Sequence, residues 1–240
     1  MQCFAAFTQG ESGEDAAFLH RQLSVFAPLS RAFEGEGARA VLTVEGGGAT
    51  GGNLEKAARL FSYGVRLYSP VWNVPNALSG SCVSGGGLTK KGKETVELAL
   101  SQGVLPDISH ASDKAAEEML NAAKSYGSAV VASHTLMRSL CPSRRNVTDE
   151  QIKKIAASGG VVGICFVRAF SGNRPLVDHI RHLYQTGGED VVSLGGDFYG
   201  TDDALVNGVG DMQRFLHDLS KYFTPRQIEK FAYSNVKSLL

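Results

Sequence analysis

Residues 104–112 read Val-Leu-Pro-Asp-Ile-Ser-His-Ala-Ser, and residues 113–124 continue Asp-Lys-Ala-Ala-Glu-Glu-Met-Leu-Asn-Ala-Ala-Lys. Val104–Ile108 is a short apolar strand interrupted only by Asp107. Ser112-Asp113 is a helix start signal, because a serine side chain accepts from the orphan N–H groups of a first helical turn. Gly127 stands where that helix should stop. A strand that runs into a histidine and then into a capped helix is half of a β–α–β crossover unit.

Working outward, the same unit recurs along the chain. Further strands are expected at Gln2–Phe7, Arg39–Val44, Val65–Ser69, Ala129–Ser133, Val161–Phe166 and Val191–Leu194. Helical patterns lie between them at Glu14–Phe33, Leu54–Ser62, Lys91–Gln102, Asp149–Ala157, Leu176–Thr186 and Asp211–Tyr222, with a closing helix at Arg226–Leu239. Thr148, three residues before Gln151, predicts a capping box. Gly103 and Gly159 are expected helix stops, and the glycine-rich patches 46–52 and 85–87 read as loops. Strands alternating with helices mean a parallel sheet, either doubly wound or closed as a barrel. There is no linker, low-complexity run or short repeat, so residues 1–240 are expected to form one α/β domain. A closed barrel uses eight strands. Only seven are found, and the chain opens directly in one, as if a first βα unit were missing.

The 24 Lys+Arg and 24 Asp+Glu give zero formal charge, which removes the electrostatic case for nucleic acid or an anionic membrane as the main partner. Hydrophobic residues make up 43% of the chain, enough for a core and against disorder. Cys3, Cys82, Cys141 and Cys165 form no CxxC pair, so neither a disulfide framework nor a zinc finger is readable, and a reduced, intracellular enzyme is expected. No apolar run approaches the ~20 residues of a membrane span. The N-terminus lacks the basic start of a signal peptide, and the C-terminus ends in an amphipathic pattern rather than a removable anchor. A cytoplasmic location is the expectation.

In parallel α/β folds, chemistry gathers at the carboxyl ends of strands. Four strands end in groups able to bind a metal or move a proton: Glu45, His110, His134 and Asp197. Two imidazoles with carboxylates suit Zn²⁺ and tolerate Mn²⁺ or Co²⁺. A carboxylate is also able to bridge two ions that activate one water. Each residue alone has a plainer reading. A single histidine after a strand is usually a loop residue, Glu45 is placed to cap the helix after the glycines, and Asp107 is better placed to orient a neighbour than to ligate. The joint placement carries the functional reading. His179 and His182 form an HxxH pair on a helix, away from the strand ends, and read as packing or solvated residues, as do His20 and His217. Residues 46–51 match GxGxxG. A nucleotide site would want an acid at the end of the next strand, which supplies Tyr68 and Ser69, and Glu45 would repel phosphate. No GxSxG nucleophile elbow occurs, and Cys141 and Cys165 read as buried small apolar residues.

Leu105-Pro-Asp-Ile-Ser-His110-Ala-Ser resembles the D-x-S-H segment of the membrane (renal) dipeptidase family of metallopeptidases. Val44-Glu45-Gly46-Gly47, Ala132-Ser133-His134, the run from Ser143 through Arg145 to Asp149, Gly159–Gly163 and Gly195-Gly196-Asp197-Phe198 follow in the family's order. The resemblance covers nearly the whole chain. It implies a TIM-like (β/α)8 barrel, here without its first βα unit, that hydrolyses dipeptides through a metal-activated water. On that resemblance Glu45 bridges the metals, and His110 and His134 complete one metal site. Arg145 grips the substrate carboxylate, Asp197 acts as acid/base, and Trp72 falls where relatives contact substrate. The resemblance also implies two Zn²⁺ ions and a homodimer. The His-x-Asp pair of the family's first strand has no counterpart here, which leaves Glu45, His110 and His134 for one ion, the minimum of three protein ligands. Gly48 replaces a histidine of some relatives, and Tyr199 replaces the second acid of a D-F-D-G turn. The alternatives to a zinc dipeptidase are an inactive truncated relative that keeps the scaffold, and another amidohydrolase-like reaction on a carboxylate-bearing substrate, such as a lactone or acyl-amino acid.

Overall fold

The computed structural model describes residues 1–10 and 13–240. Its contacts divide the chain into two units, residues 1–130 with Leu240, and Val131–Leu239.

The first unit alternates strand and helix: β1 (Gln2–Phe7), α1 (Gly13–Gly35), β2 (Ala40–Glu45), α2 (Leu54–Phe61), β3 (Val65–Ser69), α3 (Lys90–Ser101), β4 (Leu105–Pro106) and α4 (Asp113–Ser125). The strands form one parallel sheet in the order β1-β2-β3-β4. Chain order equals sheet order because each crossover helix returns the chain to the neighbouring edge. Val41, Leu42, Val44, Val65 and Tyr68 are buried, with Leu19, Leu23, Ala57, Leu60 and Phe61 from the helices. Apolar area of this kind contributes about 25 cal/mol per Å² removed from water. Tyr68 meets Phe61 edge-on, ring centres 5.1 Å apart, a geometry favoured by the ring quadrupoles. The helix starts follow the sequence chemistry, since Asn53, Thr89 and Ser112 each accept a backbone N–H of the first turn. β4 is only two residues long because Pro106 has no N–H to donate; Asp107 N–H still reaches Tyr68 O at 2.9 Å. Even-numbered residues of β1 face β2, as Gln2 N–H to Arg39 O and Thr8 N–H to Glu45 O demonstrate. On the opposite edge the Gln22 carboxamide of α1 takes both main-chain groups of Phe7: Phe7 N–H donates to Oε1 at 2.7 Å, and Nε2 donates to Phe7 O at 2.8 Å.

The second unit holds β5 (Ala132–Thr135), α5 (Asp149–Ala157), β6 (Val162–Ile164), α6 (Leu176–Gly187), β7 (Val192–Leu194), α7 (Met212–Leu219), α8 (Pro225–Glu229) and α9 (Asn235–Leu239). β5-β6-β7 form a second parallel sheet. The expected capping box at Thr148 and Gln151 is present. The closing helix, expected as one element, is interrupted by a π-turn at Lys230–Ser234. Asn235, just after it, donates to Glu189 O at 2.7 Å and Val192 O at 2.8 Å, binding α9 to the start of β7. Gly163 and Gly195 leave room for a carbonyl, as a Cβ on either would collide with Ser133 O.

The fold is α/β with parallel strands, as expected. The seven expected strands are found among the described residues, but they run in two hydrogen-bonded ladders of four and three rather than in one continuous closed ladder. Among the described residues no helix is long and apolar enough to cross a membrane.

Candidate metal centre

β2 brings Glu45 to the middle of the first sheet, in register with Phe7 on one side and Ser69 on the other. The chain leaves β2 through Gly46 at φ +85°, where a Cβ would strike the Thr8 carbonyl oxygen; Thr8 Oγ1 in turn donates to Gly46 O. Gly47 lies against the Tyr68 hydroxyl. The GxGxxG match is therefore a packed turn, with Gly47–Thr50 a single 3-10 turn rather than an open loop. The helix after the glycines, α2, is capped by Asn53, so Glu45 is not its cap.

Glu45 Oε1 lies 2.8 Å from His110 Nε2. The other ring nitrogen, Nδ1, is 2.9 Å from Asn73 Oδ1. An amide oxygen only accepts, so Nδ1 carries a proton there, and Nε2 is the ring atom that faces the carboxylate. A proton bridges Nε2 and Oε1 at that hydrogen-bond distance, and a divalent ion bound by both atoms would replace it. The donor set, imidazole and carboxylate, fits a borderline-soft divalent ion.

His110 is buried and adopts φ +67°, a left-handed conformation that costs a residue with a side chain on the order of 1–3 kcal/mol and clusters at functional sites. The surroundings enforce it. Cys82 N–H donates to His110 O at 2.7 Å, Asp107 Oδ1 accepts Ser109 N–H at 3.0 Å, and Ser69 Oγ reaches Ser109 O at 3.1 Å. Asp107 thus orients its neighbour, as expected. Trp72 faces the imidazole with ring centres 6.0 Å apart and meets Phe7 edge-on at 5.2 Å.

In the second unit His134 lies in β5, buried, with Nδ1 2.8 Å from Ser133 Oγ. One residue on, Thr135 Oγ1 donates to Arg145 O at 3.1 Å, which fixes the Arg145 backbone to the strand end. The Arg145 side chain is 8% exposed, and its Nε and Nη2 atoms have no hydrogen-bond partner. Its guanidinium carbon stands 5.4 Å from the centre of the Phe170 ring. Asp197 follows β7 at φ +53°, with Tyr199 at +68° two residues later. The Asp197 carboxylate folds against Gly200, where a Cβ would meet it. Burial pushes the Cys165 thiol up to about 12, with a main-chain hydrogen bond at Val167 and the Arg145 charge opposing the rise and Asp197 adding to it. Cys165 is an inert core thiol, as expected, whereas Cys141 is only half-buried.

His179 does not bind metal but packs. It is fully buried, its Nδ1 accepts Met137 N–H at 3.2 Å, and its Nε2 donates to Ser171 O at 3.0 Å. His182 Nε2 contacts Asp149 Oδ1 and Ser139 Oγ, each at 2.9 Å. The structure thus joins Glu45, His110 and Trp72 in the first unit, while His134, Arg145 and Asp197 belong to the second. Sequence reasoning missed Asn73 and Phe7. Asn73 adjoins Trp72, and only its contact with a histidine 37 residues away marks it.

An uncharacterised protein encoded in the pqqA 5′ region of Klebsiella pneumoniae is 33% identical over 204 residues, covering 78% of this chain and 73% of its own length. Dipeptidase AC, a metallopeptidase of family M19, superposes with a TM-score of 0.88 at 22% identity over 99% of this chain and 83% of that one. A metallopeptidase from Rhodobacter sphaeroides, bound to a phosphinate mimic of the dipeptide L-Ala-D-Ala, gives 0.75 at 25% identity over 98% and 68%. The profile of the membrane dipeptidase family, peptidase family M19, matches residues 24–239, and the chain belongs to that family.

Proposed function

We propose that this chain is a dipeptidase whose metal, one Zn²⁺ ion, is held by Glu45, His110 and His134, with Asp197 as acid/base and Arg145 and Trp72 as substrate contacts. Family membership makes it a metal-dependent dipeptidase in class; the residue roles, the ion's identity and the count of one are our reading. The observation that carries it is the Glu45–His110 pair, a carboxylate oxygen and an imidazole nitrogen 2.8 Å apart with the far ring nitrogen already satisfied. His134 brings a second imidazole at the end of β5, and three protein ligands are the minimum for a catalytic site that keeps a position open.

The bound ion would supply Lewis acidity toward the peptide carbonyl oxygen and a water of lowered pKa. The chain's own groups do the rest. The guanidinium of Arg145 binds the C-terminal carboxylate of the dipeptide, and Nε with Nη2, which share one edge of the group, form the bidentate fork. Asp197 carries a proton from the attacking water to the leaving amine nitrogen, so that the products are two amino acids. Trp72 and Phe7 form an aromatic wall beside Glu45 and His110 that shields this polar centre from bulk water.

Metal analysis of the purified protein, beside hydrolysis assays on L-L and L-D dipeptides, tests the proposal. About one Zn²⁺ per chain is expected, with activity lost on chelation and restored by Zn²⁺ or Mn²⁺. Glu45→Gln and His110→Ala should each lose the bound metal. A metal-free protein that stays inert after Zn²⁺ is added overturns the reading.

A further inference from the structure

His110 is held on several sides by groups of its own unit. Glu45 meets Nε2, Asn73 meets Nδ1, Trp72 faces the ring, and the backbone is pinned at φ +67°. Of these contacts only the one with Asn73 selects between the two neutral forms of the imidazole. Facing Glu45 alone, a neutral ring would place its proton on Nε2 and donate it to the carboxylate, which turns the lone pair away from any ion. With Asn73 Oδ1 accepting at Nδ1, the proton stays on the far nitrogen.

Asn73 is itself placed by a network that spends several bonds on its position. Its carbonyl accepts from Ser81 Oγ at 2.6 Å. Ser81 Oγ also lies 3.2 Å from Ser84 Oγ, and Ser81 N–H donates to that same Ser84 oxygen at 3.0 Å. The loop between β3 and α3 is thus closed on itself around residue 73, and Cys82 N–H ties it to His110 O.

We propose that Asn73 is a positioning residue that holds the proton on Nδ1 of His110, so that Nε2 is the atom offered to the ion beside Glu45. The inference rests on the reading of Glu45 and His110 as metal ligands. Outer partners of this kind orient ligating histidines, and their loss weakens metal affinity by roughly 10–100-fold.

The test compares the full-length wild-type chain with Asn73→Ala and Asn73→Asp. Two readouts are used: the nitrogen resonances of His110 in ¹⁵N-histidine-labelled, metal-free protein, and Zn²⁺ affinity by competition with a chromophoric chelator. In the wild type Nδ1 should be of the N–H type. In Asn73→Ala it should become the unprotonated type, with the proton on Nε2 and Zn²⁺ affinity about 10–100-fold weaker. Asn73→Asp restores the acceptor, and should recover both the N–H form of Nδ1 and the affinity. An unchanged Nδ1 resonance in Asn73→Ala overturns the inference, as does an alanine variant that binds Zn²⁺ like the wild type. A wild type that takes no Zn²⁺ sinks the metal-centre reading instead, and the resonances still decide what Asn73 does.

Discussion

Replacing Arg145 with methionine tests how substrate is held. Arg145 is buried, and the two N–H groups on the side edge of its guanidinium, at Nε and Nη2, have no partner. A carboxylate fits that edge with two parallel charge-assisted hydrogen bonds. At about 1.5–3 kcal/mol each, their loss removes about 3–6 kcal/mol, and with 1.36 kcal/mol per tenfold this is roughly a 10²–10⁴-fold fall in kcat/KM. Because the carboxylate takes no part in the bond change and is bound alike in ground and transition states, the fall should sit mainly in KM. Methionine keeps the apolar stem and breaks no ion pair. The stability change is then limited to the contact with Phe170, about 0.5–1 kcal/mol, or a Tm shift of about 2–4 °C at most for a chain of this size. Steady-state kinetics on free dipeptides and their C-terminal amides read out the effect. The wild type should prefer the free acid by the same factor, and Arg145→Met should barely distinguish the two. Equal hydrolysis of acid and amide by the wild type refutes the reasoning.

Two further outcomes follow from the second unit. His179 is buried with its pKa lowered, chiefly by desolvation, with Arg174 and His182 adding to the lowering and the Ser171 carbonyl and Asp178 opposing it. The unfolded chain therefore takes up a proton near the ordinary value of about 6.5 that the folded chain refuses. Stability from this group is complete above that pH and declines as pH falls below it, by at most about 1.4 kcal/mol per pH unit. Thermal melts between pH 7.5 and 5 should show that decline, and a melt of His179→Asn that keeps the wild-type slope would assign it elsewhere. Gly163→Ala pushes a Cβ into the Ser133 carbonyl oxygen, an overpacking worth about 1–3 kcal/mol. Its Tm should drop by several degrees, and an unchanged melt would mean that the β5–β6 ladder yields more easily than its geometry implies.

The fold was legible wherever a local signal decides an element. Ser112, Thr148 and Gly127 mark helix ends through a side-chain acceptor, a reciprocal pair and a left-handed residue at φ +61°, and all three act within four residues. The strand ends were less readable. β4 stops at Pro106 and β5 starts at Ala132, because ladder pairing depends on a partner dozens of residues away, which no local pattern encodes. The same division holds in the site. Glu45 and His110 stood out as strand-end groups. Asn73 carried no signal, since an asparagine in a polar loop is ordinary until the fold sets it against an imidazole. Nor does composition distinguish His179, which packs, from His110, which faces a carboxylate.

The Gln22 carboxamide has a consequence for how this chain meets other chains. A glutamine side chain offers one donor and one acceptor at the spacing of a peptide unit, so at Phe7 it fills the slot that an incoming strand would need. The outward rungs of β1 are those of Cys3, Ala5 and Phe7, and the last is already plugged. Any strand pairing along this side of β1 would have to displace Gln22 before it covered Phe7, the residue in register with Glu45. The helix thus acts as a doorstop, keeping edge-to-edge stacking away from the chemistry.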